Sequence, residues 1–143
     1  MKKYLALLTL VLNACAMTPA PQPRACFHLS EPVETDIGYC QALRSGGRLY
    51  ISGIAAKGEM AEAVQSVYSR LEKTLNANGL SFKDVVKENV YTTDLDRFEA
   101  NKALRKGFYG ASLPAATWVQ VQRLYSPALV LEVELIAEYP RGR

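Results

Sequence analysis

Residues 85–92, Val85-Val86-Lys87-Glu88-Asn89-Val90-Tyr91-Thr92, decide the fold class. The run is rich in β-branched and aromatic residues. Val86, Glu88, Val90 and Thr92 alternate with Val85, Lys87, Asn89 and Tyr91, as they do along a strand. On the N-terminal side, Val64, Val67, Tyr68, Leu71 and Leu75 recur at helical spacing and predict one apolar stripe on a helix over 59–78. Asn78-Gly79 stops that helix, because glycine takes the left-handed conformation at no steric cost. On the C-terminal side a second helix is expected over 96–109, with Phe98, Leu104 and Phe108 inward and Gly110 closing it.

Working outward, strands are expected at 39–43 and 49–52, joined by the turn cluster Ser45-Gly46-Gly47, with Gly53 ending the second. Two more are expected at 117–123 and 128–138, turning through Tyr125-Ser126-Pro127. The order is β-β-α-β-α-β-β. It predicts an α+β domain over 31–139, a mixed sheet with two helices on one face and a final hairpin. Nothing in a chain of 143 residues is left to cover the other face, so self-association is expected. Residues 140–143 form a short tail.

Residues 1–14 have a different character. Lys2 and Lys3 precede an apolar run at 4–12, YLALLTLVL, shorter than the ~20 residues needed to span a bilayer. Leu12-Asn13-Ala14-Cys15 resembles a bacterial lipobox. That resemblance implies cleavage before Cys15, lipidation of its thiol, and an envelope location, with Ala16 after the cysteine implying the outer membrane facing the periplasm. Acyl chains contribute about 0.8 kcal/mol per buried methylene, so several of them anchor a protein stably. Residues 15–30, with Pro19, Pro21 and Pro23, are expected to be an extended linker. Removing Lys2 and Lys3 from 17 basic residues leaves 15 against 14 acids. That near-neutral balance, without a clustered basic face, argues against nucleic acid as a partner. Cys26 and Cys40 either pair as a disulfide, which an oxidising compartment permits, or remain two thiols.

The ordered set of Tyr39-Cys40-Gln41-Ala42, Leu49-Tyr50-Ile51-Ser52-Gly53, Val90-Tyr91-Thr92-Thr93-Asp94-Leu95, Phe108-Tyr109-Gly110, Pro114-Ala115 and Leu131-Glu132-Val133-Glu134-Leu135-Ile136-Ala137 resembles the RidA/YjgF family. The resemblance spans nearly all of the domain. It implies a chorismate-mutase-like fold assembled as a homotrimeric barrel, with small-molecule clefts between subunits. It also implies hydrolysis of reactive enamines and imines to 2-oxo acids and ammonia, without metal or organic cofactor.

The family's substrate clamp is an arginine in a Pro-Ala-Arg run, suited to a carboxylate by its planar bidentate donors. Here Ala116 occupies that place, within Pro114-Ala115-Ala116-Thr117. The loss of such a contact removes roughly 1.5–3 kcal/mol of binding. Of the remaining positions, Glu132 matches the family's cleft glutamate, allowing one inserted residue in the preceding turn, and Tyr39 matches its cleft tyrosine. These two are the catalytic candidates. Ser52, Lys102, Ala116, Thr117 and Trp118 are the substrate-binding candidates, Trp118 standing where a smaller residue is usual. Glu132 and Glu134 are two apart on a strand and share a face, as paired acid/base carboxylates require.

Other chemistries find no support. Ser45-Gly46-Gly47-Arg48 is a hairpin turn rather than a phosphate loop. The one histidine, His28, falls in the expected linker, which excludes a Ser-His-Asp triad, and no metal-ligand spacing is present. Two functions remain: a divergent enamine/imine deaminase with an altered site, and a non-catalytic binder of a small planar or apolar ligand.

Overall fold

The computed structural model describes residues 24–140. The expected signal, Cys15 and the proline-bearing part of the linker lie outside them. The elements are β1 (Ala25–Phe27), α1 (Glu31–Ile37), β2 (Ala42–Ser45), β3 (Arg48–Lys57), α2 (Met60–Ala77), a 3₁₀ turn (Phe82–Asp84), β4 (Val85–Thr92), α3 (Leu95–Ala100), α4 (Lys102–Tyr109), β5 (Ala115–Gln120) and β6 (Leu129–Glu138). The six strands form one mixed sheet in the order β1-β2-β3-β6-β4-β5, with β4 and β5 parallel and the other neighbours antiparallel.

The α+β class and the β2–β3 hairpin are as expected. Ser45 pairs with Arg48, and Gly46 and Gly47 take φ of 57° and 79°, the paired left-handed turn that matches strand twist. The helix over 59–78 forms as α2. Its stripe of Val64, Val67, Tyr68, Leu71 and Leu75 is fully buried against Leu49, Ile51 and Ile54 of β3 and Leu131, Val133 and Leu135 of β6.

Five expectations are corrected. The last two strands do not form a hairpin. β6 lies between β3 and β4, while β5 pairs with β4 at the sheet edge. Burial at every second position of β6, from Leu131 to Ala137, suits that inner place, whereas β5 is mostly exposed. The second helix is two helices, broken at Asn101, whose side chain bonds back to the Arg97 carbonyl at 2.9 Å. The break shifts the helical phase, so Arg105 and Tyr109 turn inward and Leu104 is 40% exposed. A register shift between Val85 and Lys87 leaves Val86 out of the alternation and buries Val85 instead. β3 continues past Gly53 to Lys57 through an irregularity between Ile51 and Ile54. Finally, residues 25–27, expected in the linker, add a strand to β2, and α1 follows it.

α2, α3 and α4 and their core occupy one face of the sheet. The other face carries Leu43, Tyr50, Asn89, Glu134 and Ile136 around an open concavity of about 680 Å³.

Candidate active site

The irregularity in β3 shapes the first half of the site. β2 pairs with β3 only as far as Ile51, so the edge of β3 beyond it is open. A cleft of about 450 Å³ forms there, lined by Tyr39, Ser52, Gly53, Arg70 and Glu132 together with Tyr125. Three of the expected residues, Tyr39, Ser52 and Glu132, thus converge.

Glu132 leans directly over Gly53. A Cβ built on Gly53 would collide with the carboxylate and lie only 2.9 Å from its Cγ. The glycine is therefore a space requirement, not a turn device. Among the described residues the Glu132 carboxylate accepts no hydrogen bond, and burial first, then the negative charge of Glu134, push its pKa above the ordinary carboxylate value. Glu134, on the same face, accepts from Asn89 Nδ2 at 2.7 Å and from the Tyr91 hydroxyl at 3.1 Å. Of the two glutamates, Glu132 is the free one.

Tyr39 is 37% exposed. Burial, reinforced by the charges of Glu34 and Glu132, raises its pKa, so it remains a phenol at neutral pH and can donate. The Ser52 hydroxyl donates to the Cys40 carbonyl at 2.7 Å, and buried Gln41 donates to the Ser52 carbonyl at 3.0 Å. Ser52 is thus a brace between the cleft wall and β3. Arg70, on α2, donates to the Ala55 carbonyl at 3.0 Å on the open edge of β3 and forms no ion pair among the described residues. It brings a cation to the cleft that local sequence pattern does not reveal.

The other expected residues lie elsewhere. Ala116 pairs across β4–β5 with Glu88, and Glu88 pairs with Leu135, which places Ala116 on the helix side of the sheet, opposite the face of Glu132. Trp118 is on the same side. Its ring meets Phe98 edge-on at 5.1 Å and its Nε1 donates to Glu88 at 3.1 Å. The Thr117 hydroxyl accepts from Lys87 Nζ at 2.7 Å, and Lys102 pairs with Glu99 at 2.9 Å on the surface.

Beside Ala116 is a buried charge cluster that sequence reasoning missed. Glu88 is fully buried. Its Oε1 accepts from the hydroxyls of Tyr68 (2.7 Å) and Tyr109 (2.8 Å), and its Oε2 from Arg105 Nε (2.8 Å) and Trp118. Arg105 Nη2 also reaches Oε2 at 2.6 Å, and the guanidinium lies 4.7 Å from the Tyr109 ring centre and 5.0 Å from that of Trp118. Burial and Glu88 push both tyrosine pKa values far upward. Among the described residues no buried side-chain polar atom lacks a partner, so the cluster holds β4, α2, α4 and β5 together.

A third feature lies at the N-terminal edge. Cys26 and Cys40 form a disulfide, resolving the alternatives left by the sequence. Among the described residues, Cys26, His28 and Cys40 are the one cluster of three possible metal ligands, but the two sulfurs are already bonded to each other.

A family model described as endoribonuclease L-PSP matches residues 30–139. A RutC family protein of Pyrococcus horikoshii is 32% identical over 108 residues, 69% of this chain and 85% of its own. A protein of Mus musculus named 2-iminobutanoate/2-iminopropanoate deaminase is 31% identical over 108 residues, 69% of this chain and 79% of its own. A solved structure of a YjgF/YER057c/UK114 family member from Mycobacterium tuberculosis superposes with a TM-score of 0.75 at 26% identity, covering 81% of this chain and 99% of that one.

Proposed function

Because the chain belongs to the RidA/YjgF (endoribonuclease L-PSP) family, we propose that it hydrolyses small imines or enamines in the cleft at Gly53, with Glu132 as the general acid/base. The observation that carries this reading is the unpartnered Glu132 carboxylate, its pKa raised, facing a cleft with a phenol and a cation. A carboxyl whose pKa moves toward the working pH exchanges protons more effectively with a reacting group. In its ionised form Glu132 takes a proton from water as the oxygen attacks the imine carbon. In its protonated form it returns that proton to nitrogen, giving the carbinolamine; it then passes the hydroxyl proton to the same nitrogen, and ammonia leaves as the carbonyl forms. Tyr39 donates to the substrate from the cleft wall.

Arg70 takes over the carboxylate-binding role that Ala116 cannot fill. Its remaining N–H groups are free to pair with a 2-imino acid. Arg70→Ala should lower kcat/KM for carboxylate-bearing imines by roughly 10- to 150-fold, the equivalent of about 1.5–3 kcal/mol. Substrates lacking the carboxylate should be little affected.

The chain works as a homotrimer. The helix-free sheet face, with Tyr50 at 40% exposure, is covered by a second copy. Ala116 and Glu132 lie on opposite faces of one sheet, so only neighbouring copies bring both to one cleft. The trimer is held in the cell envelope through a lipid on Cys15, which the lipobox-like run at 12–15 supports. Cys15→Ala should abolish labelled-palmitate incorporation; equal labelling would exclude the anchor.

The test is to supply imines of 2-oxo acids, generated in situ, and follow ammonia release. Hydrolysis faster than buffer is expected. A second reading, a non-catalytic binder, is favoured by the exposed Tyr125 beside the cleft. It is adopted if the rate equals that of buffer while a planar ligand still binds.

A further inference from the structure

Cys26, His28, Glu34 and Cys40 are brought together by two tertiary pairings. β1 runs against β2, and the turn after α1 returns the chain to Tyr39-Cys40-Gln41. Glu34 is 2% exposed, yet its pKa is lowered. Burial alone would raise it, and backbone N–H donation from Ser30 (2.8 Å), Leu29 (3.0 Å) and Gln41 (3.2 Å), with His28, outweighs that. Glu34 is therefore a carboxylate and only accepts, so the 2.6 Å contact fixes the proton of His28 on Nδ1. That leaves Nε2 facing Cys26 Sγ at 3.0 Å. A sulfur, an imidazole and a buried carboxylate stand in line, the arrangement that activates a thiol as nucleophile or leaving group. Cys26 is exposed on β1, the outermost strand, so the disulfide lies at the sheet's outer edge, on the rim of the concavity rather than under the face that a second copy covers.

We propose that Cys26–Cys40 is a thiol–disulfide exchange site, with Cys26 the sulfur activated by His28 and with a dithiol, small or protein-borne, as the redox partner. The partner's thiolate attacks Cys40 Sγ. The Cys26–Cys40 bond breaks, and its electron pair leaves on Cys26 Sγ, which takes a proton that water has first delivered to His28 Nε2, the imidazolium so formed being paired with Glu34. The partner's second thiol, losing its proton, attacks the partner's own sulfur in the mixed disulfide and closes a disulfide there. Cys40 is released and takes a proton from water. The site gains two electrons and two protons, and the dithiol loses the same. Thiolate leaving groups of lower pKa depart faster, which is the contribution of His28. Glu34 is a positioning residue, holding the imidazole in the productive tautomer. Nothing in the step uses Glu132, so this inference stands apart from the imine reading.

The test uses the full chain carrying Cys15→Ser, so that two cysteines report. The native protein is treated with millimolar dithiothreitol without denaturant, and thiols are counted with a maleimide over time. Full reduction, and full reoxidation on adding oxidised glutathione, are expected. In the reduced protein iodoacetamide should label Cys26 at least about five-fold faster than Cys40, as an activated thiolate requires. His28→Ala should abolish that preference and slow reduction about five-fold. Reduction only in denaturant would overturn the proposal. So would equal labelling of the two cysteines in the wild-type chain, a measurement that needs no variant to fold.

Discussion

Two glutamates on neighbouring strands, Glu88 on β4 and Glu132 on β6, have opposite environments. Glu88 is ringed by donors and paired with Arg105, while Glu132 has none among the described residues. The difference predicts different failures. Arg105→Ala leaves a buried charge without its cation and should cost about 3–5 kcal/mol in chemical denaturation, with no specific effect on chemistry in whatever fraction stays folded. Glu132→Gln should do the reverse. Its raised pKa means that the folded chain holds the proton more tightly than the unfolded chain, so the group's contribution to stability declines as pH rises above the ordinary carboxylate range. The Gln variant should therefore melt higher than wild type at neutral pH, and the gap should close at acid pH. Gly53→Ala drives a Cβ into the Glu132 side chain and should displace it, lowering activity while the hairpin still forms. At this scale Tyr39, Ser52 and Glu132 were legible as a group because the ordered motifs carried them. Arg70, Glu88 and Arg105 were not. Their partners are Ala55, Trp118 and two tyrosines far away in sequence, and no local pattern encodes such contacts.

At the scale of elements, periodicity and turn chemistry were reliable where one face of a segment is buried, as in α2, β4 from Glu88 onward and the β2–β3 hairpin. They failed where tertiary pairing decides. β1 lies in the stretch expected to be linker and α1 in a part of the domain for which no element was expected, and both are held by the disulfide and by Glu34, whose carboxylate caps the N–H groups of Leu29, Ser30 and Gln41. Burial at alternate positions suits the place of β6 between β3 and β4, but strand order is not written in the alternation itself. Glu34→Gln should loosen this N-terminal strap by roughly 1.5–3 kcal/mol, through lost charge-assisted hydrogen bonds. Because the Glu34 pKa is lowered, its contribution is complete above the ordinary carboxylate range and is lost as pH falls through the folded value. Urea midpoints of wild type and Glu34→Gln should therefore differ at neutral pH and converge in acid.

For the whole molecule, one helix layer on one face of a six-stranded sheet leaves the other face with Tyr50 and Ile136 open to solvent or to another copy. The trimer account predicts a solution mass of three chains by light scattering. Tyr50→Glu should reduce that mass while keeping native circular dichroism, and should lower activity along with assembly. The central claim concerns the cleft, and the most direct measurement is ammonia release from 2-iminopropanoate generated in situ, comparing wild type with Glu132→Gln and Glu134→Gln. The account predicts a loss of about 10²- to 10⁴-fold for Glu132→Gln and a much smaller change for Glu134→Gln, whose carboxylate is already tied to Asn89 and Tyr91. Equal rates for wild type and Glu132→Gln would contradict it.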